Sequence, residues 1–254
     1  MNSIPPYRLA LLRELQERSD GFHVLISGSP AQSQRWPRDW DGLPIIHQKT
    51  ISFRGTWRHP HNFREPLAIH FPYDTISQLA RVRPNSIVSV ELGMRTLQAA
   101  AYKAIFRQSR LIVWAALSEV TEQGRGWLRK LLRRLLLHQA DAVIVNGESG
   151  ARYITRFGVD SRKLFRIPQT TDIALFLSVA PNRPGAIRHR LLYAGRLIEL
   201  KGILPFLSNL AAWARKNTER RIEFWIAGDG PVRSRLASFP CPGNLSLQIG
   251  RAHV

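Results

Sequence analysis

The chain has 254 residues, a length for one large or two small domains, and its 44% hydrophobic content excludes a mainly disordered polypeptide. A net charge of +19, carried by 37 basic residues of which only six are Lys, points to phosphates, acidic partners or anionic membranes. The single cysteine, Cys241, excludes an intramolecular disulfide and fits a reducing compartment.

Met1–Pro6 leads straight into the amphipathic run Tyr7–Arg18 without a signal-peptide pattern. The longest apolar runs, such as Leu111–Leu117, fall far short of the ~20 residues that span a bilayer. The chain reads as soluble and cytoplasmic. Its charge is spread along the sequence, with no basic tail and no basic stripe interleaved with aromatics. That distribution favours a phosphorylated ligand and an anionic membrane surface over nucleic acid; the plain alternative is an Arg-rich composition with no functional meaning.

In chain order, Tyr7–Arg18 predicts a helix with Leu9, Leu12 and Leu15 on one side, and Phe22–Ser27 a strand ending at Gly28. Ser29–Asn62 reads as irregular apart from a short strand near Ile45–Ile51. A helix over Tyr73–Val82 is stopped by Pro84. Strand Ser86–Val90, helix Thr96–Phe106, strand Leu111–Ala115, helix Gly126–Gln139, strand Ala142–Val145, helix Ser149–Phe157 and strand Lys163–Pro168 follow. This alternation predicts a parallel sheet covered on both faces.

Within that half, Glu91 and Glu119 each follow an apolar strand, where a carboxylate can face a cleft and orient an acceptor hydroxyl; a solvated acid is the alternative. Ser149 is placed to cap its helix. Helix Gly126–Gln139 sets Trp127, Leu128, Leu131, Leu132, Leu135 and Leu136 on one half and Arg129, Lys130, Arg133 and Arg134 on the other. The pattern suits a helix on an anionic membrane, or one covering a sheet with its cations in water, and the second reading is preferred. His47, His59, His61 and His70 lack acids or cysteines at ligand spacing, so no metal is expected.

Ala180–Gly185 is the expected linker, dividing an N-terminal domain over 1–180 from a second over 186–254. In the second, Leu191–Tyr193 is a buried strand running into Gly195, and Gly202 opens a helix with Ile203, Phe206, Leu207, Leu210, Ala211 and Ala214 at helical spacing. Ile222–Ala227 is the next strand, followed by Gly228-Asp-Gly-Pro231, a short helix Val232–Ser238 with Pro231 at its start, and strand Leu245–Ile249. This is a βαβ unit of a parallel sheet, whose ligands sit beyond the carboxyl ends of the strands. Arg196 and Lys201 lie there beside a helix N-terminus, which suits a diphosphate. Five elements are too few to cover a sheet on both faces.

Gly195-Arg196-Leu197, Lys201-Gly202 and Gly228-Asp-Gly-Pro231 resemble the nucleotide-sugar domain of the family-four retaining glycosyltransferases, whose GT-B architecture joins two Rossmann-like domains. The resemblance extends over roughly residues 1–250, although the sharp motif is confined to this stretch. It implies transfer of a sugar, with retention and without a metal, from a nucleotide-diphosphate sugar to a glycan or lipid-linked acceptor. Arg196 and Lys201 would hold the diphosphate, with Gly195, Gly202, Gly228 and Gly230 lining the turn. It further implies a fragment: the N-terminal domain would lack its first strand and glycine turn, and the C-terminal domain its paired donor-binding acids. Ile167-Pro-Gln-Thr-Thr-Asp172 is similar to the family's interdomain turn with Asn-Gly replaced, and no His follows Val113-Trp-Ala-Ala116. A catalytically inactive basic α/β module docking on a membrane or acidic partner is the competing expectation.

Overall fold

The structure, a computed structural model, describes residues 1, 2, 4–28, 40, 42–58, 64–119, 122, 126–177 and 189–250. They fall into two compact units, the first reaching to Leu175 and the second beginning at Phe176. The expected linker Ala180–Gly185 lies outside the described residues.

The first unit opens with α1 (Pro6–Glu17), begun by a proline whose missing N–H costs nothing at a helix start. Of the three leucines expected inward only Leu12 is buried, and Leu15 is exposed. β1 (Val24–Ile26) pairs in parallel with β2 (Ile45–His47). Met1 lies beside β1, where the Ser27 N–H donates to its carbonyl at 2.9 Å, and Ile4 is fully buried.

β3 (Thr50–Arg58) pairs with β4 (Arg64–Pro72), so the stretch read as irregular holds a nine-residue strand. The alternation of Ile51, Phe53 and Trp57 carried the signal, broken at Gly55. Ile51 and Phe53 stay exposed, so pairing with β4 rather than burial defines this strand.

α2 (Thr75–Val82) leads to β5 (Ser86–Val90), α3 (Met94–Ile105), β6 (Arg110–Ala115), α4 (Trp127–Gln139), β7 (Ala142–Val145), α5 (Glu148–Thr155) and β8 (Leu164–Arg166). The four strands pair in parallel in the order β5-β6-β7-β8. Leu111, Val113, Ala115, Val143 and Val145 are fully buried in one core with residues of α3, α4 and α5. On the opposite face the Arg8 guanidinium of α1 lies 4.9 Å over the Trp114 ring, while Val88 and Phe165 remain about half exposed. Among the described residues the expected two-sided cover is therefore complete on one side only. A short α6 (Ala174–Leu177) crosses the boundary into the second unit, its Ala174 N–H capped by the Asp172 carboxylate at 2.9 Å.

The second unit is a three-stranded parallel sheet in the order β11-β10-β9: β9 (His189–Ala194), β10 (Ile222–Ala227) and β11 (Leu245–Gly250). α7 (Ile203–Lys216) and the short α8 (Arg233–Ala237) share a core with it, built on Ile203, Leu207, Ala211, Ile222, Phe224, Ile226 and Leu236. The other face carries Arg190 in an ion pair with Glu223 at 2.8 Å and stacked 4.5 Å from the Trp225 ring, with Leu192 exposed.

Candidate functional site

Two glycine turns interlock at the carboxyl edge of the second sheet. The Gly195 N–H donates to the Ala227 carbonyl at 3.0 Å, and the Leu197 N–H to the Asp229 carbonyl at 2.9 Å. Gly195 and Gly230 have φ of 157° and 155°, which L side chains rarely adopt. A Cβ on Gly228 would run into the Gly195 carbonyl, and one on Gly230 into the Leu197 carbonyl. Leu197 is fully buried and anchors the turn in the core.

This clamp leaves the side chains of Arg196 and Lys201 outside. Both are exposed, and no acidic side chain among the described residues pairs with either. The Tyr193 hydroxyl donates to the Arg196 carbonyl at 2.9 Å; burial pushes that phenol up while Arg196 opposes the shift. Glu199–Lys201 forms a single 3-10 turn, held to α8 by Arg235 and Glu199 at 2.7 Å. Gly202, at φ 66°, then starts α7 with no side-chain cap. Pro205 has no N–H to give, so Ile203 and Leu204 supply the unbonded amides of this helix end. Two cations without an acidic partner among the described residues and a positive helix end thus gather around one turn, an arrangement for binding a multiply charged anion.

Two details depart from expectation. Pro231 precedes α8 by two residues and lies in the turn, where the Arg233 N–H bonds the Gly230 carbonyl at 3.1 Å. Arg233 itself was not singled out in sequence. Its guanidinium donates to the carbonyls of Gly228 and Ile249 at 3.2 and 3.4 Å and braces the turn from the sheet edge.

In the first unit the two acids have different surroundings. Glu91 is a non-glycine residue at φ 77°, a conformation that costs about 1–3 kcal/mol and persists only when neighbours hold it. Here its N–H donates to the Trp114 carbonyl at 3.1 Å, and Thr96, itself bonded to Ser89, donates to the Glu91 carbonyl. Its exposed carboxylate pairs with Arg95 at 3.6 Å. Glu119 is bound by both Arg152, at 3.0 Å, and Arg156. Its N–H donates to the Ser149 hydroxyl at 3.2 Å. Ser149 therefore does not cap its helix; α5 starts a residue earlier, behind Gly147. His70 bonds Ser52 at 2.8 Å, His47 is exposed, and His59 and His61 lie outside the described residues. Among the described residues no group of three or more acids, cysteines and histidines could hold a metal. Nor is any described helix long and apolar enough to cross a membrane.

Residues 4–170 match the model of the glycosyl transferase 4-like domain. The chain belongs to this glycosyltransferase family. Solved structures share its fold, and their sequences have diverged too far to show more. Anabaena HepE, in complex with UDP-glucose, matches with a TM-score of 0.61 at 13% identity, over 99% of this chain and 67% of its own. The apo lipopolysaccharide outer core galactosyltransferase WaaB matches at 0.59 and 11%, over 97% and 64%. A putative UDP-N-acetylglucosamine 2-epimerase from Listeria monocytogenes follows at 0.55 and 14%, over 95% and 64%. The chain thus spans about two thirds of these proteins' lengths. The fold it shares with the two transferases is GT-B, built of Rossmann-like α/β units. No curated protein sequence matches the chain.

Proposed function

We propose that this chain belongs to an enzyme transferring a sugar from a nucleotide-diphosphate sugar to a glycan or lipid-linked acceptor, and that Arg196 and Lys201 hold the donor's diphosphate. The observation carrying this reading is the interlocked glycine turn that presents two exposed cations at the N-terminus of α7, which has no side-chain cap. In the reaction the bond from the sugar's anomeric carbon to the diphosphate breaks, and the acceptor oxygen bonds that carbon and loses its proton. Charge building on the leaving diphosphate is what fixed cations stabilise. Glu91, exposed at the end of β5, suits the acceptor side better than Glu119, which two arginines already neutralise. Retention of configuration, action without a metal, a hexose donor and a cytoplasmic location beside the membrane are further parts of the proposal.

Thermal unfolding against a panel of nucleoside diphosphates tests it. A ligand bound only to the folded state at 100 times its Kd adds about 2.7 kcal/mol. One nucleotide is expected to raise Tm, with the shift lost in Arg196→Ala and Lys201→Ala. No shift with any nucleotide from a cooperatively folded sample would overturn the donor site and favour an inactive docking module.

A further inference from the structure

α4 meets the sequence expectation only in part: of the six residues on its expected inward half, Leu136 is buried and Leu132 packs against the core. Arg133, Leu136 and Leu137 are the residues it buries. Arg133 is held by Glu122, also buried, and donates to the Tyr153 hydroxyl at 2.7 Å. That polar anchor fixes the helix's rotation, and the rotation turns most of the leucine stripe outward. Trp127, Leu128, Leu131 and Leu135 are 71, 65, 48 and 57% exposed. At helical spacing the four fall within an arc of roughly 100°. Lys130 and Arg134 border it on one side, exposed, and no acidic side chain among the described residues pairs with either.

The helix itself contains four cations, one histidine and no acid. Arg129 and Lys130 stand in its first turn, where the helix dipole disfavours positive charge. Arg129 reaches the buried Glu122 carboxylate at 3.9 Å, but neither the four exposed apolar residues nor Lys130 and Arg134 serve the fold among the described residues. A second copy of the chain laid on this face would bring like charges together in a molecule already at +19. An anionic bilayer meets both demands: acyl chains take the Leu stripe, the Trp ring suits the headgroup level, and lipid phosphates answer the flanking cations.

We propose that the Trp127–Leu135 face of α4 docks the protein in the interface of an anionic membrane. The proposal gives a surface to the membrane-side location suggested above and does not depend on the donor site. Its test is co-sedimentation with vesicles of phosphatidylcholine containing about a third phosphatidylglycerol, against pure phosphatidylcholine. Because a +19 chain adheres to anions generally, the decisive variants leave charge unchanged: Trp127→Ser with Leu131→Ser, beside Leu192→Ser in the other unit as control. At near-physiological salt the double variant is expected to lose at least tenfold in vesicle affinity and the control none. Lys130→Gln with Arg134→Gln should weaken binding to the anionic vesicles selectively. Equal binding by wild type and the Trp127/Leu131 variant, no binding by wild type, or a wild-type dimer that the same variant dissociates would each overturn it. The nucleotide-induced Tm shift, measured on the same variants, should be unaltered, which separates this proposal's failure from that of the donor site.

Discussion

Gly228 and Gly230 are the positions where one atom decides most. Each approaches a carbonyl of the opposing turn so closely that a Cβ has no room, and Gly230 also holds a φ that L residues avoid. Gly230→Ala is expected to cost about 2–3 kcal/mol, the upper part of ordinary point-mutant losses. Gly243, on the same unit with nothing within 4 Å, should change by no more than about 0.5 kcal/mol on the same substitution. Urea denaturation of the two variants checks this, and equal losses would mean the turns do not interlock. The glycine motif was readable in the sequence as a ligand-facing turn. That Gly228 and Gly230 are glycine because the 195–197 turn presses on them was not, since the contact joins residues more than thirty apart.

At the level of elements, most strands of the two parallel sheets were legible because buried parallel strands are short apolar runs: β5 and β7 fall where the sequence puts them. The β3–β4 pair was not, because Ile51 and Phe53 of β3 stay exposed and Arg54 and Gly55 break the alternation. α4 was found, but of its expected inward half only Leu132 and Leu136 pack against the core. Its leucines outnumber its buried positions, and a buried ion pair, which hydropathy counts against burial, chose the inward face. Breaking such a pair leaves the buried Glu122 carboxylate with the longer 3.9 Å contact to Arg129, so Arg133→Ala is expected to destabilise by about 3 kcal/mol. The double change Arg133→Leu with Glu122→Leu should recover much of that loss. Chemical denaturation of the single and double variants measures both, and a loss below about 1 kcal/mol for Arg133→Ala would show that apolar packing alone orients the helix.

For the whole molecule, pH sensitivity follows from where charge is buried. Burial lowers the His70 imidazole from its ordinary value, and the Arg95 guanidinium lowers it further. The unfolded chain therefore takes up a proton at this site near pH 6.5, before the folded protein does, so stability falls as pH drops below that value. The urea midpoint should decrease from pH 7.5 to 5.5, with a smaller decrease in His70→Gln; equal decreases would exclude His70 as the cause. Asp141 acts at lower pH. Burial opposes its ionisation, but the Lys103 ammonium and the Leu111 N–H outweigh that and hold the carboxyl below the usual range. The stability it contributes is kept above about pH 4 and lost as the pH falls through its folded value.

The sequence by itself determined the α/β class, the parallel strands and the glycine-and-cation turn between β9 and α7. These follow from local facts: short apolar runs, glycine where φ turns positive, and charges a few residues apart. The tertiary structure alone decided which acid stays exposed beside one arginine and which is bound between two, because Glu119 meets Arg152 and Arg156 only when β6 and α5 pack. It decided the outward face of α4 for the same reason. Burial and ion pairing between distant residues are properties of the packed chain, and no local pattern encodes which of two apolar arcs will find the core.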